Sequence, residues 1–325
     1  MMGNKKLSLW LLDYGIVLIL LLLILIFSIA SENFFSFGTV TTILRQVSIT
    51  GIISVGAAFV ILTAGIDLSV GSIACISSLT AALLFKAEFS VPMTIIITLA
   101  IATVYGLFSG ALVSFFKMSP LIATLGVMTS LRGAGYLITD GLPVYGFGPG
   151  LSAFGRGFIA GIPYPVILML LVFALGIFIL YYTPIGRHVY GVGGNEEASR
   201  LSGVNVTGVK FFCYGFCAFL SGVAGLVLLA RTNSGQPAAG VGYEMDAITA
   251  VVLGGISLMG GQGKLPMVIV GVLIMGVLST GMLMCNINDY VQQVVKGLVL
   301  ISAVAFSYVS LRLRDKIVSS AASSN

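Results

Sequence analysis

The feature that most constrains this chain is a recurrence of apolar runs long enough to cross a lipid bilayer. A helical run of about 18 to 20 residues spans the hydrocarbon core. Ten candidates occur, at 14–31, 45–64, 68–85, 92–116, 120–139, 163–182, 209–230, 246–260, 266–285 and 290–311. The eighth is short, and reads as tilted, broken or re-entrant. Only 8% of residues are charged and 58% are hydrophobic, whereas a soluble domain carries about 25% charged residues. Such a chain could not cover its surface with polar groups in water, but lipid accepts apolar side chains facing outward. The 41 glycines fit the same solvent, because small residues let membrane helices approach closely. The expectation is an all-α integral membrane protein of about ten transmembrane helices, forming a single domain over 1–325.

The first run follows Lys5 and Lys6 and precedes Ser28-Ile29-Ala30. It is long for a signal peptide and nine more runs follow, so it reads as an uncleaved anchor. Topology follows from the bias of Lys and Arg toward cytoplasmic loops. With a cytoplasmic N-terminus, ten spans return the C-terminus to the cytoplasm. Ten basic residues then lie inside: Lys5, Lys6, Lys117, Arg187, Arg200, Lys210, Lys264, Arg312, Arg314 and Lys316. Six lie outside or within spans: Arg45, Lys86, Arg132, Arg156, Arg231 and Lys296. Parity and charge agree. The net charge of +5 is thus topological, with no basic run or stacking motif to suggest nucleic acid. Trp10 falls where an interfacial belt residue belongs.

Several chemistries are excluded by residue type and spacing. Gly260-Gly261-Gln262-Gly263-Lys264-Leu265 mimics a phosphate-binding loop, but Leu265 stands where a magnesium-binding Ser or Thr is needed. His188 is the only histidine and has no second His at zinc-binding spacing. Cys213 and Cys217 share a helix face without further ligands, and no serine sits in a Gly-x-Ser-x-Gly elbow. No metal site and no cofactor are expected on this chain.

The loop 183–208 is unlike a linker. Asn195 is placed to cap a short helix whose first turn holds Glu196 and Glu197, where the helix dipole favours anions, and Gly203 is placed to end it. Ala198, Leu201 and Val204 form a small apolar stripe. Such a helix lies on the membrane surface, packs under the bundle, or docks into a groove on a partner.

Four charges fall within or beside apolar runs and need explanation, because each costs on the order of 2.5–3.5 kcal/mol near a span centre. Arg132 and Lys296 read as partners of acids on other helices, or as snorkelling side chains. Asp67 reads equally as an N-cap of the third span or as a gate residue where the backbone is broken. Asp246, with Tyr243 and Glu244, sits at the start of the eighth span, where capping and docking of a binding protein both remain open. Gly65-Ile66-Asp67-Leu68 is echoed by Gly255-Ile256-Ser257-Leu258, each closing an apolar run, which hints at an internal repeat.

Glu197-Ala198-Ser199-x-x-x-Gly203 resembles the Glu-Ala-Ala-three-residues-Gly loop of ABC importer permeases, with Ser199 replacing the second Ala. Ala64 to Ser72, Ile162 to Val166, Gly186 to Gly203, Gly242 to Ile248 and Val252 to Leu258 resemble, in order, the ribose-type monosaccharide permeases. The similarity covers about 45 to 311. It implies a permease subunit of an ATP-driven, binding-protein-dependent monosaccharide importer working by alternating access. It also implies Asn195, Glu196, Glu197, Ala198, Ser199, Arg200, Leu201 and Gly203 as a coupling helix held by a cytoplasmic ABC ATPase, which binds the ATP and Mg2+. A second permease subunit, expected to be identical, and a periplasmic sugar-binding protein complete the assembly in a bacterial inner membrane. Within this frame Gly65, Asp67, Ser69, Gly71 and Asp246 are candidates for the path or gate. Arg156, Arg231 and Glu244 are candidates for docking the binding protein. The competing class is a secondary transporter or channel for a small polar solute, which would need carboxylates buried at mid-membrane.

Overall fold

The computed structural model describes residues 2–148 and 151–322, with side chains described for 15–148 and 151–308. The side chains of Lys5, Lys6, Trp10, Arg312, Arg314 and Lys316 lie outside the described residues. The described residues are mainly helical: α1 (Met2–Ala30), α2 (Phe37–Leu62), α3 (Val70–Lys86), α4 (Val91–Ser114), α5 (Pro120–Thr139), α6 (Ser152–Arg156), α7 (Tyr164–Tyr182), α8 (Pro184–Gly194), α9 (Glu196–Leu201), α10 (Val206–Thr232), α11 (Tyr243–Leu253), α12 (Leu265–Met284) and α13 (Asp289–Ala322), joined by turns and irregular segments. A two-stranded antiparallel hairpin of β1 (Phe158–Ile159) and β2 (Ile162–Pro163) is too short to alter the all-α class.

Every apolar run of the sequence falls on a helix, but the helices are not equal. Among the described residues seven are long and apolar enough to cross a membrane: α2, α4, α5, α7, α10, α12 and the 289–308 part of α13. Two shorter apolar helices, Gly15–Ala30 and Val70–Lys86, stand beside them. The eighth run folds as α11, only 11 residues long, about 16 Å at 1.5 Å per residue and so about half a bilayer core. The protein is a multi-pass membrane protein.

Long helix α10 is the centre. It packs on α2, α3 and α4, and small residues make that closeness feasible. A Cβ on Gly225 would lie 2.4 Å from the Ala74 carbonyl oxygen, and one on Gly56 would lie 2.7 Å from Cys217 Cα. In lipid no water is expelled when helices meet, so such close van der Waals contact and interhelical bonds hold the bundle. The buried core runs from Phe27 of α1 through Phe59, Tyr214 and Val251 to Ala303 of α13. The outer faces of α4, α5 and α7 expose large apolar side chains such as Ile96, Ile122 and Leu171, as a lipid-facing surface requires.

Two of the non-helical stretches between the helices bear on the site. The first is 63–69, between α2 and α3. The second is 233–242, between α10 and α11. After α10 ends, the second stretch turns back alongside α3. Gly235 lies against Leu79 and Ala82, the Pro237 carbonyl against Cys75, and Gly240 against Gly71. Irregular backbone at membrane depth survives only where protein buries it or where it lines a polar cavity. These two segments position the site.

Candidate functional site

The 183–208 loop folds as two helices: α9 is the short helix that its residues predict, whereas α8 before it is not expected from the sequence. Pro184 opens α8, its missing N–H costing nothing at a first turn. Asn195 leaves the helix with extended backbone, and its Oδ1 accepts the Ala198 N–H at 2.9 Å, capping α9. Gly203 takes a left-handed φ of +82°, and Val204 N–H returns to the Ser199 carbonyl at 3.0 Å, closing the helix as only a residue tolerant of that backbone does cheaply. Arg200 reaches Glu196 at 3.1 Å and Glu197 at 3.2 Å, and Lys210 of α10 reaches Glu196 at 2.6 Å. The Lys210 ammonium, by hydrogen bonding, holds the Glu196 carboxyl below its usual range despite a smaller opposing effect of burial.

No residue of α9 is buried. Leu201 is 82% exposed. The apolar stripe of Ala198 and Leu201 is therefore uncovered, and only Val204 is half-buried. Packing under the bundle does not describe this helix. Exposed His188 lies on α8, away from any zinc-type arrangement of ligands among the described residues.

At the 63–69 break, α2 ends at Leu62, and Ala64 takes φ +59°. Gly65 N–H returns to the Val60 carbonyl at 3.1 Å. Gly65 touches Tyr214, whose hydroxyl donates to the Ile66 carbonyl at 3.4 Å. Leu68 N–H donates to Thr124 Oγ1 of α5 at 3.2 Å. Asp67 is 3% exposed. Its Oδ1 accepts the Ser69 N–H at 2.8 Å and the Ser69 hydroxyl at 2.5 Å. Its Oδ2 is buried without a hydrogen-bond partner. Ser69, not Asp67, holds the N-cap position of α3. The N-cap reading of Asp67 is thus corrected: the carboxylate folds onto a turn one step earlier, in the broken segment itself.

Gly71, in the first turn of α3, lies against the second irregular segment. A Cβ there would lie 2.3 Å from Glu244 Oε2 and 2.5 Å from the Gly240 carbonyl oxygen. Glu244 is 8% exposed, its Oε1 accepts the Gly242 N–H at 3.2 Å, and its Oε2 is unpartnered. Glu244 therefore faces the interior beside Gly71 and does not offer an outer docking surface. Asp246 pairs with Lys296 of α13 at 2.8 Å, which makes it a helix-to-helix tie; the acid partner expected of Lys296 is this one. Arg132 forms no ion pair among the described residues, although its charge bears on Glu244: its Nη1 donates to the Ala239 carbonyl at 2.6 Å, anchoring the 233–242 segment to α5.

Arg156 and Arg231 lie together at the opposite end from α8–α9. Helix α6 rests on the end of α10, where Gly155 lies against the Ala230 carbonyl and Arg231 N–H. Arg45 donates to the Arg156 carbonyl at 2.6 Å and stacks its guanidinium 4.7 Å from the Phe158 ring centre. Sequence reasoning named Arg156 and Arg231 but missed Arg45 as their neighbour. It also missed the 233–242 segment. Its signal was there, in Gly235, Pro237, Gly240 and Gly242 within an uncharged stretch.

A bundle of long apolar helices, broken by buried irregular backbone and carrying an exposed capped helix at one end, defines a multi-span transport protein. Comparison with known families makes the class specific. The family described as "Branched-chain amino acid transport system / permease component" matches residues 39–304, and the chain belongs to it. It is 43% identical to ribose import permease protein RbsC of Haemophilus influenzae over 306 residues, covering 93% of this chain and 95% of that one. It is 44% identical to RbsC of Bacillus subtilis over 88% of this chain and 89% of that one. It is 36% identical to the D-allose transport system permease protein AlsC of Escherichia coli, with 90% of each chain covered. The resemblance to ribose-type permeases holds across most of the chain. No solved structure matches.

Proposed function

We propose that this chain is the membrane-spanning subunit of an ATP-driven, binding-protein-dependent importer of a monosaccharide of the ribose class. One observation carries the reading beyond family membership: the first turn of α3, which follows the 63–69 segment, packs at Gly71 directly against Gly240 of the 233–242 segment and Glu244 of α11. The broken segment before this contact and α11 beyond it each carry a buried carboxylate oxygen without a hydrogen-bond partner, on Asp67 and on Glu244. Acceptors of that kind suit the hydroxyls of a sugar, and burying them unpaired is otherwise costly.

In this reading Gly65, Asp67, Ser69 and Gly71 form the gate, and Glu244 joins them. Asp246 supports the gate through Lys296. Residues 195–203 dock on a cytoplasmic ABC ATPase, which supplies ATP and Mg2+ chemistry. Arg156 and Arg231 face a periplasmic sugar-binding protein. A second copy of the permease completes the path, and alternating access moves the sugar. Ten crossings place both termini in the cytoplasm of a bacterial inner membrane. This arrangement is supported by exposed α9 and its uncovered Leu201 at one end, and by clustered arginines at the other.

The buried carboxyls also favour one rival, an ion-coupled secondary transporter. Co-reconstitution with the ATPase and binding protein in liposomes separates the two. Labelled ribose should accumulate only with ATP. Accumulation by the chain alone on a proton or sodium gradient would overturn the proposal.

A further inference from the structure

Helix α8 buries Val189 and Val192 in the core, and at Gly193 its backbone lies directly on that of the bundle. A Cβ on Gly193 would lie 1.8 Å from the Leu62 carbonyl oxygen and 2.5 Å from Gly261 N. Those two atoms are already joined, because Gly261 N–H donates to the Leu62 carbonyl at 2.9 Å. Gly193 therefore sits directly on a hydrogen bond between the end of α2 and the turn 254–264. A Cβ on Gly261 would in turn lie 2.5 Å from Gly194 N, and one on Gly260 would lie 2.7 Å from Ala64 N. One turn earlier on α8, the Tyr190 hydroxyl donates to the Gly263 carbonyl at 2.9 Å.

Both elements under Gly193 lead to broken backbone. Leu62 is the last residue of α2 before the 63–69 segment. The 254–264 turn closes α11, whose first turn holds Glu244. The two junctions are also built alike. Gly65 N–H returns to Val60 at 3.1 Å, and Ile256 N–H returns to Val251 at 3.2 Å. Asp67 Oδ1 accepts from the N–H two residues on, and so does Ser257 Oγ, from Met259 at 3.2 Å.

We infer that Gly193 and Tyr190 are positioning residues that carry movement of the ATPase-docked segment to both broken segments through this glycine seam. Docking and transmission are thus separate: α9 holds the engine, and α8 passes on its displacement. Side chains at the seam would act as soft spacers, whereas backbone in direct contact transmits a small shift without slack. This rests on the permease reading above.

The test uses the permease reconstituted with its ATPase and binding protein. ATP hydrolysed, labelled ribose taken up and ATPase retained on tagged permease are measured in the same preparation. Gly193→Ala should keep the ATPase but lower ribose uptake per ATP by more than about tenfold, because backbone cannot yield as a flexible side chain would. Tyr190→Phe, which loses one hydrogen bond, should lower the ratio by about three- to tenfold. Gly194→Ala should match wild type, since its Cβ would meet nothing within 4 Å. A variant that is merely less well folded lowers uptake and hydrolysis together and leaves the ratio unchanged. If Gly193→Ala fails to reach the membrane, Tyr190→Phe decides alone. A wild-type ratio in Tyr190→Phe, or loss of the ATPase in either variant, overturns the inference while leaving the transport reading intact. Wild type without ATP-driven uptake overturns both.

Discussion

Asp246 of α11 and Lys296 of α13 meet at 2.8 Å, with 14% and 26% of their side chains exposed. Helix α11 is too short to be held by its own length, and this pair ties its first turn to α13. Removing one partner of a buried pair strands the other charge and costs about 3–5 kcal/mol. Lys296→Met should therefore lower the thermal midpoint of the detergent-solubilised protein sharply. Adding Asp246→Asn to it should recover most of the loss. An Asp246→Asn/Lys296→Met double variant as unstable as Lys296→Met would show that the pair is not the tie.

The Glu196–Lys210 contact predicts a pH dependence of α9. Glu196 has a lowered folded-state pKa, set first by the Lys210 hydrogen bond. Its unfolded value is about 4.3. The stabilisation is thus complete above that value and is lost as pH falls through the lower, folded one. The side chain is 38% exposed, so after solvent screening the contribution stays under about 1 kcal/mol. Stability measured between neutral pH and about pH 3 should fall less steeply in Glu196→Gln than in wild type. Equal slopes would contradict the assignment.

Labelling separates the two ends of the bundle. Cys75, Cys213 and Cys217 are buried and Cys285 is exposed. Cys285 follows α12, whose opposite end abuts the α8–α9 side. With α9 cytoplasmic, a membrane-impermeant maleimide should reach Cys285 from outside intact cells. Leu201→Cys, in a Cys285→Ser background, should react only from inside-out vesicles. Reaction of both from one face would overturn the ten-crossing topology. Leu201→Asp should weaken ATPase retention by more than about tenfold, as loss of an anchoring contact does, with little change in thermal stability.

The helical architecture was legible because lipid imposes it: each apolar run had to satisfy its own backbone, so each became a helix. The cap of α9 was legible as well, since Asn195 and Gly203 act through local backbone bonds. The echo of Gly65–Leu68 in Gly255–Leu258 marks two similar helix ends, although the left-handed residue is Ala64 in one and Gly255 in the other. Three-dimensional pairing was less legible. Asp67 lies two residues before Ser69, and only folding shows whether its side chain caps a helix or turns on itself. Glu244 looked like a surface acid beside a short span, because nothing in its neighbours announces that 233–242 folds back inward. Arg132 was expected to pair with an acid or to snorkel; its hydrogen bond goes instead to the Ala239 carbonyl, an acceptor that composition cannot single out, while Glu244 feels its charge without an ion pair.

The meeting of Gly71 with Glu244 and Gly240 carries the last prediction. Gly71 is in α3, and its lack of a side chain lets both neighbours approach within 2.5 Å of where a Cβ would be. One of those neighbours is backbone, which cannot rotate away. Gly71→Ala should force α3 from the 233–242 segment, at an overpacking cost of about 1–3 kcal/mol. Gly126→Ala on α5, where a Cβ meets nothing within 4 Å, serves as the control in lipid. Ribose uptake with the ATPase and binding protein should fall strongly for the first and stay near wild type for the second. Glu244→Ala added to Gly71→Ala should recover only part of the uptake, because the Gly240 carbonyl remains in the way. Full recovery would mean that the carboxylate alone closes this point, and unchanged uptake in Gly71→Ala would place the path elsewhere in the bundle.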